Sequence, residues 1–206
     1  MWDDAAIMFV FARHAETELN AARRVSGDPG ASQELTEAGR AQCEALGASL
    51  AEDPIDLCVV TGLGRTEVTA RHALGRREIP RMVLHELSDP RLGSFEQAPF
   101  EVYERWVMAA SLTERPPGGG ESQLDVVRRY ARGFRLLLER PERCIAVICH
   151  ALPIAVLLTA ASAEGPALRG RYRAGVAHAV PHRVTREVLQ RGEERLRIEL
   201  GQVPDR

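Results

Sequence analysis

The chain has 206 residues, a formal net charge of −2, 45% hydrophobic residues and 27% charged residues, proportions that fit an ordinary soluble globular domain. All 27 basic residues are arginine, and lysine is absent. That excludes Walker A loops, protein kinases, pyridoxal enzymes and Schiff-base aldolases, each of which needs a lysine; any phosphate must be held by arginine, histidine, hydroxyls, amides or backbone N–H groups.

Ile7-Met8-Phe9-Val10-Phe11 is a continuous apolar run ending at Arg13-His14, as expected of a strand buried on both faces. A Gly/Pro/Ser stretch from Ser26 to Ser32 follows. Thr36 is a candidate N-cap for a helix with Leu46 and Leu50 on one face. Leu57–Val60 is a second strand, residues 65–75 a helix and Met82–Leu84 a third strand. Pro90, Gly93 and Pro99 break up residues 88–99, and a short helix is predicted from Glu101 to Ala110. Pro116 to Gly120 is a break, and residues 121–139 are amphipathic and helical. Cys144–Ile148 is a fourth apolar strand ending at Cys149-His150, with a helix from about Pro153 to Ala161. Edge strands are predicted around 173–178, 182–188 and 195–200. No repeat or linker divides residues 1–206, so one domain is expected, with a variable insertion at about 88–118. Alternating helices and fully apolar strands imply a mainly parallel sheet covered on both faces.

Ligands of such sheets bind beyond the carboxyl ends of the strands. The first strand delivers Arg13-His14 there and the fourth delivers His150. Arg13-His14-Ala15-Glu16-Thr17, followed by Asn20, resembles the Arg-His-Gly-Glu-Thr…Asn signature of the histidine phosphatase superfamily, the phosphoglycerate-mutase-like proteins. Further segments match that family in order. Arg24-Val25-Ser26-Gly27 resembles its Arg-x-Gln-Gly segment, and Leu35-Thr36 with Gly39 and Gln42 its helix start. Leu63-Gly64-Arg65 with Thr69-Ala70 is similar to its arginine element, and Leu87-Ser88-Asp89 with Gly93 to its acid segment. Gly119-Gly120-Glu121-Ser122 and Val147-Ile148-Cys149-His150 complete the series. Ala15 and Ala151 stand where glycine is common in the family, which a negative φ tolerates. Asp89 stands where the family has a glutamate one methylene longer. Glu86 and Glu96 are the alternative acids, and spacing to Gly93 favours Asp89.

The resemblance implies a three-layer α/β/α sandwich with a mainly parallel central sheet, and metal-independent hydrolysis of a phosphomonoester with no cofactor. It assigns His14 as the nucleophile that becomes phosphohistidine, its neutral imidazole suited to the task. Arg13 and Arg65 disfavour the imidazolium form and clamp phosphate oxygens. His150 is expected to act as a cation. Asn20, Ser26, Gly27 and Ala151 complete the phosphate-binding set with Arg13, Arg65 and His150. Asp89 donates a proton to the leaving oxygen and then activates water, which calls for a raised carboxyl pKa. Glu121-Ser122 is expected to cap the following helix. His178 is a candidate for the pocket rim, His182 is structural, and His72 and His85 are expected at the surface.

Gly62-Leu63-Gly64 imitates a dinucleotide loop, but Glu67 occupies the place of its third glycine. No HExxH spacing supports a metal hydrolase. Phosphoglycerate-mutase-type transfer is the runner-up, disfavoured because Asp89-Pro90-Arg91-Leu92-Gly93 replaces that branch's basic Glu-Arg-His-Tyr-Gly stretch. A non-catalytic phosphate- or phosphoprotein-binding member is the alternative of another class. The expected partner is a small phosphomonoester. No nucleic acid is expected, since arginines are scattered and aromatics are 5%. No membrane is expected either, and a homodimer stays open. An acidic start (Met1-Trp2-Asp3-Asp4) and the unpaired spacing of Cys43, Cys58, Cys144 and Cys149 suggest a reduced, cytoplasmic protein.

Overall fold

A computed structural model describes residues 7–31, 34–75, 77–162 and 175–203. Five strands form one sheet: β1 (Met8–Arg13), β2 (Leu57–Val60), β3 (Arg81–Val83), β4 (Cys144–Cys149) and β5 (Pro181–Thr185), in the order β3-β2-β4-β1-β5. The first four are mutually parallel, and β5 runs antiparallel along β1. Every residue of β2 and β4 is buried, which is why these strands are apolar without alternation. β1 pairs with β4 from Met8↔Cys144 to Arg13↔Cys149, and His14 N–H continues the ladder to the Cys149 carbonyl at 2.9 Å. This register brings the ends of the two histidine-bearing strands together.

The period of two along the strands divides the core into two layers. Phe9, Phe11, Ile145 and Val147 face one side, against α5 (Gln123–Leu138), α6 (Ala151–Ala161) and α7 (Arg186–Gly201) through Tyr130, Phe134, Ile154 and Leu189. Val10, Ala12, Ala146 and Ile148 face the other, against α2 (Glu37–Ser49) and α3 (Gly64–Leu74) through Cys43, Leu46 and Ala70. The result is the expected three-layer α/β/α sandwich. All four cysteines are buried free thiols. No helix among the described residues is long and apolar enough to cross a membrane.

Two helices depart from expectation. The predicted strand at 195–200, and the end of the one at 182–188, lie within α7. Leu196-Arg197-Ile198-Glu199-Leu200 alternates apolar and polar residues and so imitates a strand. Burial of Leu189, Gly192, Glu193 and Leu196 instead follows a helical period, and the Thr185 hydroxyl caps the helix by accepting from Val188 N–H. A Cβ on Gly192 would stand 2.8 Å from Leu157 Cδ1, so α7 packs tightly on α6. In the predicted strand at 173–178, residues 173 and 174 lie outside the described residues, and 175–178 contribute a single bridge, Arg13↔His178. A further short helix, α1 (Glu18–Ala21), follows β1, and α4 (Phe100–Ala109) buries none of its residues.

Candidate active site

His14, Arg65, Asp89 and His150, which are far apart in sequence, meet at the carboxyl edge of the sheet. His14 leaves β1 with its Nδ1 2.8 Å from the Ala15 carbonyl. That contact puts the proton on Nδ1 and the lone pair on Nε2. Nε2 accepts from Arg65 Nε at 3.1 Å. Arg65 stands in the first turn of α3 and also donates to the Ser26 carbonyl (3.0 Å) and to Asp89 Oδ2 (2.6 Å). His150, fully buried at the N-cap of α6, has Nε2 3.0 Å from the Thr61 hydroxyl. Its Nδ1 lies 3.1 Å from Asp89 Oδ2, with the ring not aligned for a good hydrogen bond. The His14 and His150 rings are 5.2 Å apart, and His178 meets His14 edge-on at 5.5 Å.

A cavity of about 850 Å³ opens over this cluster, bordered by Arg13, His14, Asn20, Ser26, Arg65, Asp89 and Ala151. Two buried donors there have no partner among the described residues: Arg13 Nε and Ser26 Oγ. Buried polar atoms are nearly always satisfied, so such orphans point to a ligand. Arg13 is held by donating from Nη1 to the Val176 carbonyl at 3.0 Å. Asn20 Oδ1 accepts from Thr17 N–H and from the Thr17 hydroxyl, which commits the amide oxygen to capping α1 and leaves its NH2 for other contacts. Ala15 and Ala151 both have negative φ, since neither is among the positive-φ residues.

Four expectations are corrected. Gly27 does not offer its N–H to the cavity: it donates to Glu96 Oε2 at 2.9 Å. A Cβ there would stand 1.9 Å from the Pro90 carbonyl, so the glycine lets this loop close on the one carrying Asp89. Burial lowers the His150 pKa from its ordinary value against the pull of the neighbouring Asp89, so the pocket works against the cationic form expected of it. Asp89 is not a raised acid either. Burial would raise it, but His150, Arg65 and His14 outweigh that and hold it well below the usual carboxylate range. Finally, Ser122 alone caps α5, in a capping box with Asp125.

Glu121 instead holds Arg129. The pair is bidentate at 2.8 and 2.9 Å, and Glu121 also accepts from Arg91 N–H at 3.0 Å. Arg129 in turn donates to the carbonyls of Glu86 and Ser88, both at 2.8 Å. This clamp fixes the loop bearing Asp89. The alternative acids are occupied elsewhere: Glu86 faces Arg132 at 3.4 Å, and Glu96 accepts from Gly27 and Leu92 N–H groups.

Arg129 gives no sequence signal, being one arginine among several on an amphipathic helix. Thr61 could have been found, since it follows β2 as His14 follows β1. His178 Nδ1 lies 2.8 Å from the His14 carbonyl, so it steadies the backbone of His14. His72 and His85 are exposed. Replacing Arg129 with methionine leaves Glu121 buried without its partner. Urea denaturation should show a loss of about 3 kcal/mol, and kcat/KM for p-nitrophenyl phosphate should fall by about 100-fold as Asp89 loses its position.

The site's electrostatics suit an anion. Burial pushes His14 well below 6.5, and Arg65, His150 and Arg13 add to the shift against the pull of Asp89. His14, Asp89 and His150 offer three ligand atoms within 4.8 Å of one another, as a metal site would. Arg65, bonded to both His14 Nε2 and Asp89, brings a fixed positive charge to the place a metal ion would occupy.

Comparison with known proteins agrees with this geometry. The model described as histidine phosphatase superfamily (branch 1) matches residues 9–190. A bifunctional protein of Mycobacterium tuberculosis is 34% identical over 168 residues, covering 74% of this chain and 43% of the relative. The chain thus spans less than half the length of the first curated relatives it matches. The adenosylcobalamin/α-ribazole phosphatase of Salmonella typhimurium is 32% identical over 166 residues, covering 74% of this chain and 80% of that protein. Among solved structures, the α-ribazole phosphatase of Shigella flexneri superposes with a TM-score of 0.72 at 23% identity, covering 86% of this chain and 89% of that one. A mycobacterial glucosyl-3-phosphoglycerate phosphatase superposes with a TM-score of 0.68 at 24% identity, covering 87% and 90%. At such identities the superpositions show the fold.

Proposed function

The chain belongs to the histidine phosphatase superfamily, branch 1, and from that premise we propose that it hydrolyses a phosphomonoester through a phosphohistidine on His14. The observation that carries this reading is the His14 imidazole. It is buried and neutral, with its lone pair on Nε2, and it lies beside Arg65 and the cavity where Arg13 Nε and Ser26 Oγ lack partners among the described residues.

An incoming phosphate dianion takes over the Arg65 donors now spent on His14 and Asp89. It also accepts from Arg13, Ser26 and the N-terminus of α6. Released Nε2 attacks phosphorus; the N–P bond forms as the P–O ester bond breaks. The dianion also repels Asp89 and removes its guanidinium partner, so the carboxylate takes up a proton on substrate binding. Asp89 gives that proton to the leaving alkoxide. It then removes one from a water molecule that attacks the phosphohistidine, and phosphate departs with the N–P bond electrons returning to Nε2. Charge on the equatorial oxygens is held throughout by arginines that cannot deprotonate.

Hydrolysis is favoured over mutase transfer by the mainly apolar wall of the cavity, which offers a phosphoglycerate carboxylate few partners. Catalysis is favoured over passive phosphate binding because nucleophile, clamp and acid are all present in one cluster. The reading is tested with p-nitrophenyl phosphate and excess EDTA. Turnover should survive the chelator, and rapid quenching should trap a phosphoenzyme stable to alkali and lost in acid. Turnover abolished by EDTA, or interconversion of 2- and 3-phosphoglycerate outpacing phosphate release, would overturn it.

A further inference from the structure

The cavity is far larger than a phosphate requires. At about 850 Å³ it reaches the upper part of the range of whole-ligand pockets, roughly 300–1,000 Å³. Beyond the phosphate cluster its wall changes character: Phe100, Tyr103, Trp106, Val107, Leu112 and Leu152 line it.

Most of these come from α4, whose burial is unusual. The sequence Phe-Glu-Val-Tyr-Glu-Arg-Trp-Val-Met-Ala carries an apolar stripe at helical spacing, yet no residue of the helix is buried. An amphipathic helix ordinarily spends such a stripe on the core. Here the stripe borders the cavity. Tyr103 and Trp106 are held in place by Phe95, with ring centroids 5.7 and 5.5 Å away, and stack on each other at 6.1 Å. Among the described residues, this stripe lies against the cavity and belongs to neither core layer.

The charged side chains at this wall are already engaged by the protein. Glu104 and Glu121 both border the cavity, and Arg24, which also does, is exposed and donates to the Gln97 carbonyl. The space is continuous with the phosphate cluster, so its occupant is the alcohol portion of the substrate.

We propose that the substrate is a phosphomonoester of a bulky, uncharged, apolar or aromatic alcohol, seated between the α4 aromatics and the Leu152 side of the cavity. This rests on the hydrolase reading above. The selectivity follows from area removed from water. Each methylene that enters such a wall raises transition-state binding by about fourfold.

The test is a series of n-alkyl phosphates from ethyl to hexyl, which share one leaving-group chemistry and differ in apolar length. In the wild-type protein kcat/KM, followed by phosphate release, should climb by about fourfold per methylene until the cavity is filled. In Trp106→Ala the slope should flatten. Val107→Thr is nearly isosteric and keeps the fold, and it should also lower the slope. A flat or falling series with ethyl phosphate still hydrolysed overturns the apolar assignment and leaves the hydrolase reading standing. A rising series whose slope neither variant changes removes α4 as the selecting wall and overturns the proposal in that form. If no ester in the series or p-nitrophenyl phosphate is hydrolysed, both readings fall together.

Discussion

In His14→Ala, turnover of p-nitrophenyl phosphate should fall by about 10⁴- to 10⁶-fold, the scale seen when a covalent nucleophile is removed. No neighbouring group can substitute. His150 is buried with Nε2 on Thr61, and its Nδ1 faces Asp89. His178 has its Nδ1 on the His14 carbonyl. The same variant has a signature in stability that a loss of activity by misfolding would not produce. In the folded protein the His14 pKa lies well below 6.5, chiefly through burial. As pH falls below 6.5, the unfolded chain therefore binds a proton that folded His14 does not. Stability falls with pH in this window, by up to about 1.4 kcal/mol per pH unit for this one histidine. Urea midpoints measured from pH 7 downwards should show a shallower fall in His14→Ala than in the wild type. An unchanged slope, or retention of more than about a hundredth of the activity, would remove His14 from the centre of the mechanism.

Asp89→Asn should separate substrates by leaving group. An alkoxide cannot depart unprotonated, whereas p-nitrophenolate is stable enough to do so. Loss of a general acid costs roughly 10²- to 10⁴-fold. That full loss is expected in kcat/KM on alkyl phosphates, and about tenfold in kcat/KM on p-nitrophenyl phosphate, because kcat/KM reports formation of the phosphoenzyme and not the water step that both substrates share. Asparagine keeps the shape and can still face Arg65 and His150, so the comparison isolates the proton. Equal losses on both substrates would take the acid role away from Asp89. Glu86 and Glu96 are poor replacements, since one is held towards Arg132 and the other by two backbone N–H groups.

Much of this arrangement is legible in the chain itself. Two apolar strands ending in histidine announce the sheet edge and the site, because strand burial and strand-end chemistry both leave marks in local sequence. The order of motifs from Arg13 to His150 identifies the family. What escapes is held by long-range contacts. The reach of the shorter Asp89 depends on Gly27 closing on Pro90 and on Arg129 gripping two carbonyls, and neither has a local pattern. The pKa shifts of Asp89 and His150 escape for a related reason. Each depends on the other and on Arg65 at atomic distances, which sequence spacing does not contain. The end of α7 reads as a strand because five alternating residues fit one, while its helical burial is decided by α5 and α6.

The pairing of β1 with β4 has a consequence for biogenesis. The centre of the sheet joins the first strand to one about two thirds of the chain away, from Met8↔Cys144 onwards. While the ribosome is still translating the intervening residues, β1 has no parallel neighbour and Phe9 and Phe11 have no sheet to lie in. Such long-range closure is slow, and an unpaired apolar strand is a template for association with other chains. His14, its nucleophilic lone pair and the phosphate clamp thus come into being together and late, in the same event that covers the apolar faces of β1 and β4.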